Sequence, residues 1–396
     1  MVWGRNCATL IAAFAWGLLS AEPALVAALE SNDSATVLKL ISATLEDCAG
    51  KREQLARAAS HDPDNSPAKI IRLANYGDTY PPMSRAAGEQ AIVLVELLVD
   101  QLGNPRFAHV ARAIPASRKS RFAESALATV RNSKWTPAHR AGQAVPSWKN
   151  LKEKFIIQAQ GSMGNILSET KLAEQMESAG SGKLESIALI SYLNSVASNE
   201  VVLTSEERSR YLATAAMAGE RTAALRVAQL LSSPECAKPP AALDMLRQQA
   251  LSGYSAAEMV RAGQMMRAND PSTYSEISSL LHGAANSNDE FIQLWATGLL
   301  ATAPAMELRD PPFALTKALT FKQERDPDFL EALAAAQAAN AHFDAAVGAE
   351  QRALDAAKAM RWNDSAMRVR LAAYQAGQSW TGYLCDCTQL VPGEGI

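Results

Sequence analysis

The sequence is short of the residues from which most catalytic sites are built. Its five histidines, His61, His109, His139, His282 and His342, are scattered, with no metal-ligand spacing and no acid beside them in sequence. They read as surface or turn residues. Of the five cysteines, Cys385 and Cys387 stand too close for an easy disulfide, and no His or third Cys lies nearby to complete a zinc site. "GSMG" and "AGSGK" contain glycines without the strand context of a phosphate loop, and the second lacks that motif's first Gly and its following Ser or Thr. Basic residues are not interleaved with aromatics, which leaves no nucleic-acid signature. No enzyme activity, metal or cofactor is expected from this set. Aromatic residues make up only 6% of the chain. The alanine-rich stretches that take their place lean the fold towards helix packing.

What is present suffices for two or more domains. The chain has 396 residues, 48% hydrophobic and 20% charged, a globular composition. The net charge of −3 conceals a division: residues 68–158 hold fourteen Lys and Arg against six Asp and Glu. That segment is therefore +8, which leaves −11 for the remainder. A basic module on an acidic array attracts acidic partners or docks onto its own neighbour.

The N-terminus has the pattern of an export signal. Arg5 precedes "ATLIAAFAWGLLSA" (8–21), an apolar run too short to span a bilayer comfortably, and Glu22 and Pro23 interrupt it. A signal peptide is expected over 1–28, with cleavage after Ala21 or Ala28, and a periplasmic product. Cys7 precedes the apolar run and is badly placed for a lipid anchor. The mature chain then carries Cys48, Cys236, Cys385 and Cys387, which an oxidising compartment allows to pair in three ways. Free or mixed-paired thiols are the other reading.

Along the chain, a helical lead segment (29–67) contains one helix over 34–59, with a break at Gly50 left open. "AIVLVELLVD" (91–100) reads as a buried strand, "QLGNP" as a turn with positive φ at Gly103, and "RFAHVARA" as the return strand. A helix over 120–134 is expected to bury Phe122, Ala126, Leu127 and Val130. Residues 135–157 supply a strand, a turn at Gly142 and a last strand ending at Phe155–Ile157. Linkers are expected at 158–165 and 177–183. From 165 to 384 the chain reads as TPR-like helical repeats: Gly219, Gly253 and Asn288 fall at equivalent turns 34 and 35 residues apart. An irregular helical bundle is the weaker reading. A unit over 329–357 has Ala334, Phe343, Ala346 and Ala353 at helix contacts, and a last helix stops at Gly377. The fold class is thus α+β: a strand–strand–helix–strand module followed by an all-α helical repeat (solenoid) domain.

Tyr80-Pro81-Pro82, Val93 and Val95, Val99-Asp100 with Gly103, Trp135 with Pro137, Gly142, Val145-Pro146-Ser147-Trp148 and Phe155 form an ordered series. In that order and spacing, the segment 68–158 resembles the C-terminal domain of TonB-family energy transducers. Two departures stand out: Glu89 replaces the usual glycine, with Gly88 displaced by one, and the long Pro-rich periplasmic spacer is missing. The resemblance implies binding rather than catalysis, with an extended peptide from an outer-membrane transporter adding a strand to the sheet edge. The implied partner-binding residues are Trp148, Lys149, Asn150, Leu151, Lys152 and Lys154 on the last strand. Its lysines either guard the edge and steer an acidic peptide or merely solvate the outer face. Two functions compete. One is an exported periplasmic adaptor whose repeats hold a second protein; the other is an energy transducer retained in the inner membrane by its N-terminal segment.

Overall fold

The computed structural model describes residues 34–60, 64–73, 80–114, 119–155, 169–187, 189–190, 203–218, 221–231, 247, 249–323 and 325–384. The expected signal peptide, the linker at 158–165 and the turn at Gly219 lie outside these residues. In chain order the helices are α1 (Ser34–Ser60), α2 (Pro82–Ala86), α3 (Lys119–Arg131), α4 (Glu169–Gly180), α5 (Ser205–Met217), α6 (Arg221–Leu231) and α7 (Ser255–Ala268). Then come α8 (Tyr274–Ala285), α9 (Glu290–Thr302), α10 (Pro311–Ala318), α11 (Pro327–Ala339), α12 (Phe343–Ala359) and α13 (Ser365–Gln375). The strands are β1 (Lys69–Arg72), β2 (Ala91–Val99), β3 (Pro105–Ile114), β4 (Lys134–Thr136), β5 (Ala138–Arg140), β6 (Gln143–Val145) and β7 (Ser147–Phe155). A small strand-containing domain is followed by a helical C-terminal region, an α+β arrangement as the sequence implies.

The contacts divide the chain into two units that interleave in sequence. One comprises Met1–Pro63, Gly88–Ile92 and Lys154–Ala257; the other comprises Asp64–Ala87, Val93–Glu153 and Glu258–Ile396. In the first, α1 is continuous through Gly50 and packs along α5 and α6. Ile41, Leu45 and Cys48 are buried at i, i+4 and i+7, the inward stripe of an amphipathic helix. Thr204 starts α5 with a capping box: its Oγ accepts from Glu207 N (3.2 Å), and Glu207 accepts from Thr204 N (2.9 Å). The linker expected at 177–183 is instead the end of α4. The helix runs to Gly180, and Gly182 at φ +89° lets Lys183 N donate to Ser178 O (3.0 Å). Small residues at a helix C-terminus look like linker composition, yet here they make a left-handed cap.

In the second unit the main sheet has the order β3-β2-β7. β2 is buried at every position except Glu96, which is half-buried, as a strand covered on both faces must be. Helix α3 packs on β3 and buries Phe122, Ala126, Thr129 and Val130; Thr129 takes the inward place expected of Leu127. Its hydroxyl is satisfied within the helix, donating to Ser125 O (3.0 Å). Two short ribbons, β1 with β4 and β5 with β6, complete the domain; β1 was not expected from the sequence, whereas the β5–β6 turn falls at Gly142 as expected. The β5–β6 hairpin turns through Ala141 and Gly142, both with positive φ, the combination that matches strand twist in a two-residue loop.

The turn between β2 and β3 is built by Asp100. Its Oδ1 accepts from Leu102 N (2.9 Å) and Asn104 N (2.8 Å), and Gly103 N donates to Asp100 O (3.0 Å). Gly103 has φ +80°, and a Cβ there would lie 2.5 Å from the Trp135 carbonyl oxygen. Strain and overlap therefore add in Gly103→Ala, which is expected to lower stability by at least about 2 kcal/mol in urea denaturation. A change below about 0.5 kcal/mol contradicts this turn geometry.

The helices of this unit stack in sequence: α8 on α9, α9 on α10 and α11, α11 on α12, and α12 on α13. Alanine makes the close approach possible, since Ala334, Ala338, Ala346 and Ala349 form one buried cluster with Tyr374. Helix α9 is apolar nearly all round and almost wholly buried, so it must have neighbours on every side. Gly253 and Gly377 both adopt positive φ at turns, as their places in the sequence suggest.

Candidate functional site

The last strand, β7, stands at an end of the main sheet. Alternation along a strand sets Trp148, Asn150, Lys152 and Lys154 on one side and Lys149, Leu151, Glu153 and Phe155 on the other. Asn150 and Lys154 are exposed, and Lys149, Leu151 and Lys152 are half-buried. Burial lowers the pKa of Lys149. Trp148, expected at the partner-binding edge, is buried instead. Its ring lies 5.8 Å from Phe291, edge to face, and 6.0 Å from Trp295.

Those two aromatics belong to α9, one turn apart, and they meet the sheet. Phe107 on β3 is 6.2 Å from Phe291 and stacks at 6.4 Å on Trp295. His109 stacks on Phe291 at 4.2 Å with an interplanar angle of 15°, and its Nε2 lies 3.4 Å from Glu96. A surface or turn position was expected for this histidine; the strand periodicity that carries it inward is broken at Phe107. Trp295 itself is half-buried.

Beside the aromatics lies a buried network of charges. Arg106, Asp328, Glu331, Glu350 and Arg370 are each no more than 3% exposed. Arg106 on β3 pairs through Nε with Asp328 and through an Nη with Glu331, both in the first turns of α11. The second oxygen of Asp328 accepts from Phe107 N at 2.6 Å. Phe107 has φ +50°, a conformation that costs a bulky residue about 1–3 kcal/mol, and it turns this amide towards the carboxylate. Arg131 at the end of α3 pairs with Asp326, the N-cap of α11. Arg370 on α13 pairs with Glu331, and its Nε lies 3.5 Å from Glu350 on α12.

Directional bonds extend the contact. Asn104 Nδ2 donates to Asn363 O (2.9 Å) while its Oδ1 accepts from Asn363 N (2.7 Å). Trp362 Nε1 donates to Arg131 O (2.8 Å). The residues of the β2–β3 turn, β3 and α3 are thereby tied to α11 and the loop before α13. Burial opposes the charge of Arg106, but Asp328 and Asp100 outweigh it, and its pKa is raised. Burial also raises Asp100, lifts Asp326 to about 6 against the pull of Arg131, and lifts Glu350 to about 8 against that of Arg106. It lowers Arg370 to about 10, helped by the like charge of Arg106.

None of this network was named from the sequence, although the signals were there. Arg106 sits inside a strand whose other residues are mostly apolar. "DPDFLEALAAAQAA" opens an otherwise apolar helix with three acids, a pattern that reads as helix-dipole placement until a partner is known. The charge division of the chain left acidic partners and self-docking both open, and these ion pairs are a contact of the second kind.

The chain thus combines a strand–strand–helix–strand domain with a helical region that packs on it through charge and aromatic contacts. Residues 77–157 match the family model for the Gram-negative bacterial TonB protein C-terminal. The chain therefore carries a TonB C-terminal domain at 77–157, which ties it to envelope transport or interaction. No curated protein and no solved structure shows significant similarity to the chain. No helix among the described residues is long and apolar enough to cross a membrane.

Proposed function

We propose that this chain is an exported adaptor of the cell envelope that receives an extended protein segment as an added strand along β7. Its helices, read as TPR-like repeats, hold a second protein. The observation that carries this reading is the end position of β7 in a sheet that matches the TonB C-terminal model. An end strand offers backbone donors and acceptors in a row, a template for strand addition. Lys152 and Lys154 flank that edge on one side and favour an acidic segment. The periplasm-facing N-terminal segments of outer-membrane transporters are the partner class. Cys48 is buried and disulfide-bonded, which suits an oxidising compartment and so supports export.

The test is calorimetric titration of the full chain with synthetic N-terminal segments of such transporters. Saturable binding is expected. Proline at Asn150 or at Leu151 removes one N–H from alternate sides of the strand. One of the two variants is therefore expected to lose binding while circular dichroism stays unchanged. Lys149→Gln with Lys152→Gln slows association and flattens its salt dependence. If no segment binds, or if both proline variants bind like the parent, strand addition is not the function.

A further inference from the structure

The buried charges between β3 and the last three helices are unevenly matched, and the mismatch centres on Glu350. Around it stand Glu331 and Asp328 from α11, Arg370 and Tyr374 from α13, and Arg106 from β3. Arg131 and Asp326 close the network on the α3 side, and Asp100 closes it at the β2–β3 turn. Arg106 and Arg370 are already engaged by Asp328 and Glu331, and Arg131 by Asp326. Three guanidinium groups thus meet four carboxylates, Asp100 included, before Glu350 is counted. Neither Glu350 oxygen accepts a hydrogen bond among the described residues, and neither does the Tyr374 hydroxyl. A fifth carboxylate placed there as an anion is desolvated without a cation of its own.

We propose that this cluster is a proton-operated latch, closed on β3 while Glu350 keeps its proton and loosened when Glu350 gives it up. Losing the proton leaves a buried anion that competes with Glu331 for Arg370. Glu331, which holds both Arg370 and Arg106, then loses its balance of charge, and the hold of α11 on β3 weakens. The direction follows from burial: the Glu350 pKa is raised to about 8, so its contribution to the closed form is full in acid and is lost as pH rises through 8. Asp326, raised to about 6, acts in the same sense at lower pH. The latch therefore tightens on acidification and opens in mild alkali. The strained amide of Phe107, bonded to Asp328, and the Asn104–Asn363 pair are the contacts that part first.

Hydrogen exchange of the full chain between pH 6.5 and 9.5 reads this directly, after correction for the base dependence of intrinsic exchange. The amides of Phe107 and Asn363 are expected to lose protection by about tenfold per pH unit as pH rises to 8, where the closed form holds one more proton than the open one, and to level off above 8. The amides of α9 hold theirs. Glu350→Gln keeps the shape and cannot ionise, so it flattens the profile at Phe107 and Asn363 while the protection at pH 6.5 is retained. If the wild-type amides show no such slope, or if the Gln variant keeps the wild-type slope, Glu350 does not operate a latch. If the variant does not fold, the wild-type slope decides alone, and a uniform loss of protection across α9 as well overturns local opening.

Discussion

Arg106→Met lowers the free energy of unfolding by about 3–5 kcal/mol, measured by denaturant titration of the full chain at neutral pH. The methionine stem fills much the same space, so the loss is electrostatic. Asp328 and Glu331 remain buried with one cation removed, and the Phe107 amide keeps an acceptor whose charge is no longer balanced. Because the cost is that of an uncompensated anion, it is recovered in part by neutralising the acids. Asp328→Asn with Glu331→Gln in the Arg106→Met background regains stability, whereas Arg106→Met alone, or the two acid changes without it, destabilises. A loss below about 1 kcal/mol for Arg106→Met means that water reaches these acids.

Phe291→Ala is expected to cost about 3–5 kcal/mol as well, by a different route. Phe291 is the ring on which His109 stacks, and Trp148, Phe107 and Trp295 all lie within 6.2 Å of it. Its removal leaves a cavity bounded by large flat groups that collapse poorly. The tryptophan fluorescence of the folded variant is expected to shift to the red, since the buried Trp148 loses its dry surroundings. Differential scanning calorimetry gives the stability, and an unchanged melting temperature contradicts the packing described.

The elements of the small domain were legible where local physical chemistry settles them. The apolar run of β2, the left-handed turn at Gly103 and the close alanine packing of α11 and α12 each follow from residue type and spacing. The family resemblance was legible because its residues recur in order, although each alone is weak. Three features were not. Trp148 was named with the partner-binding strand because the family resemblance implies that strand as a whole, and its burial shows only once α9 is placed against it. His109 was read as surface because no acid is near it in sequence, while Glu96 faces it only once β2 and β3 pair. The positive φ of Phe107 has no sequence signal at all, since the carboxylate that its amide meets, Asp328, lies more than two hundred residues away in the chain. The composition at 177–183 misled for the opposite reason: Gly and Ser serve a helix cap as well as a linker.

The packing of the TonB C-terminal sheet onto α9 is the foundation of the account, and a double-mutant cycle tests it most directly. Stabilities of the full chain are compared for the parent, Trp148→Ala, Phe291→Ala and the double variant. Rings in edge-to-face contact at 5.8 Å share part of their contribution. The account predicts a coupling of about 1 kcal/mol or more. Costs that add within about 0.5 kcal/mol contradict it, because residues that do not touch behave that way.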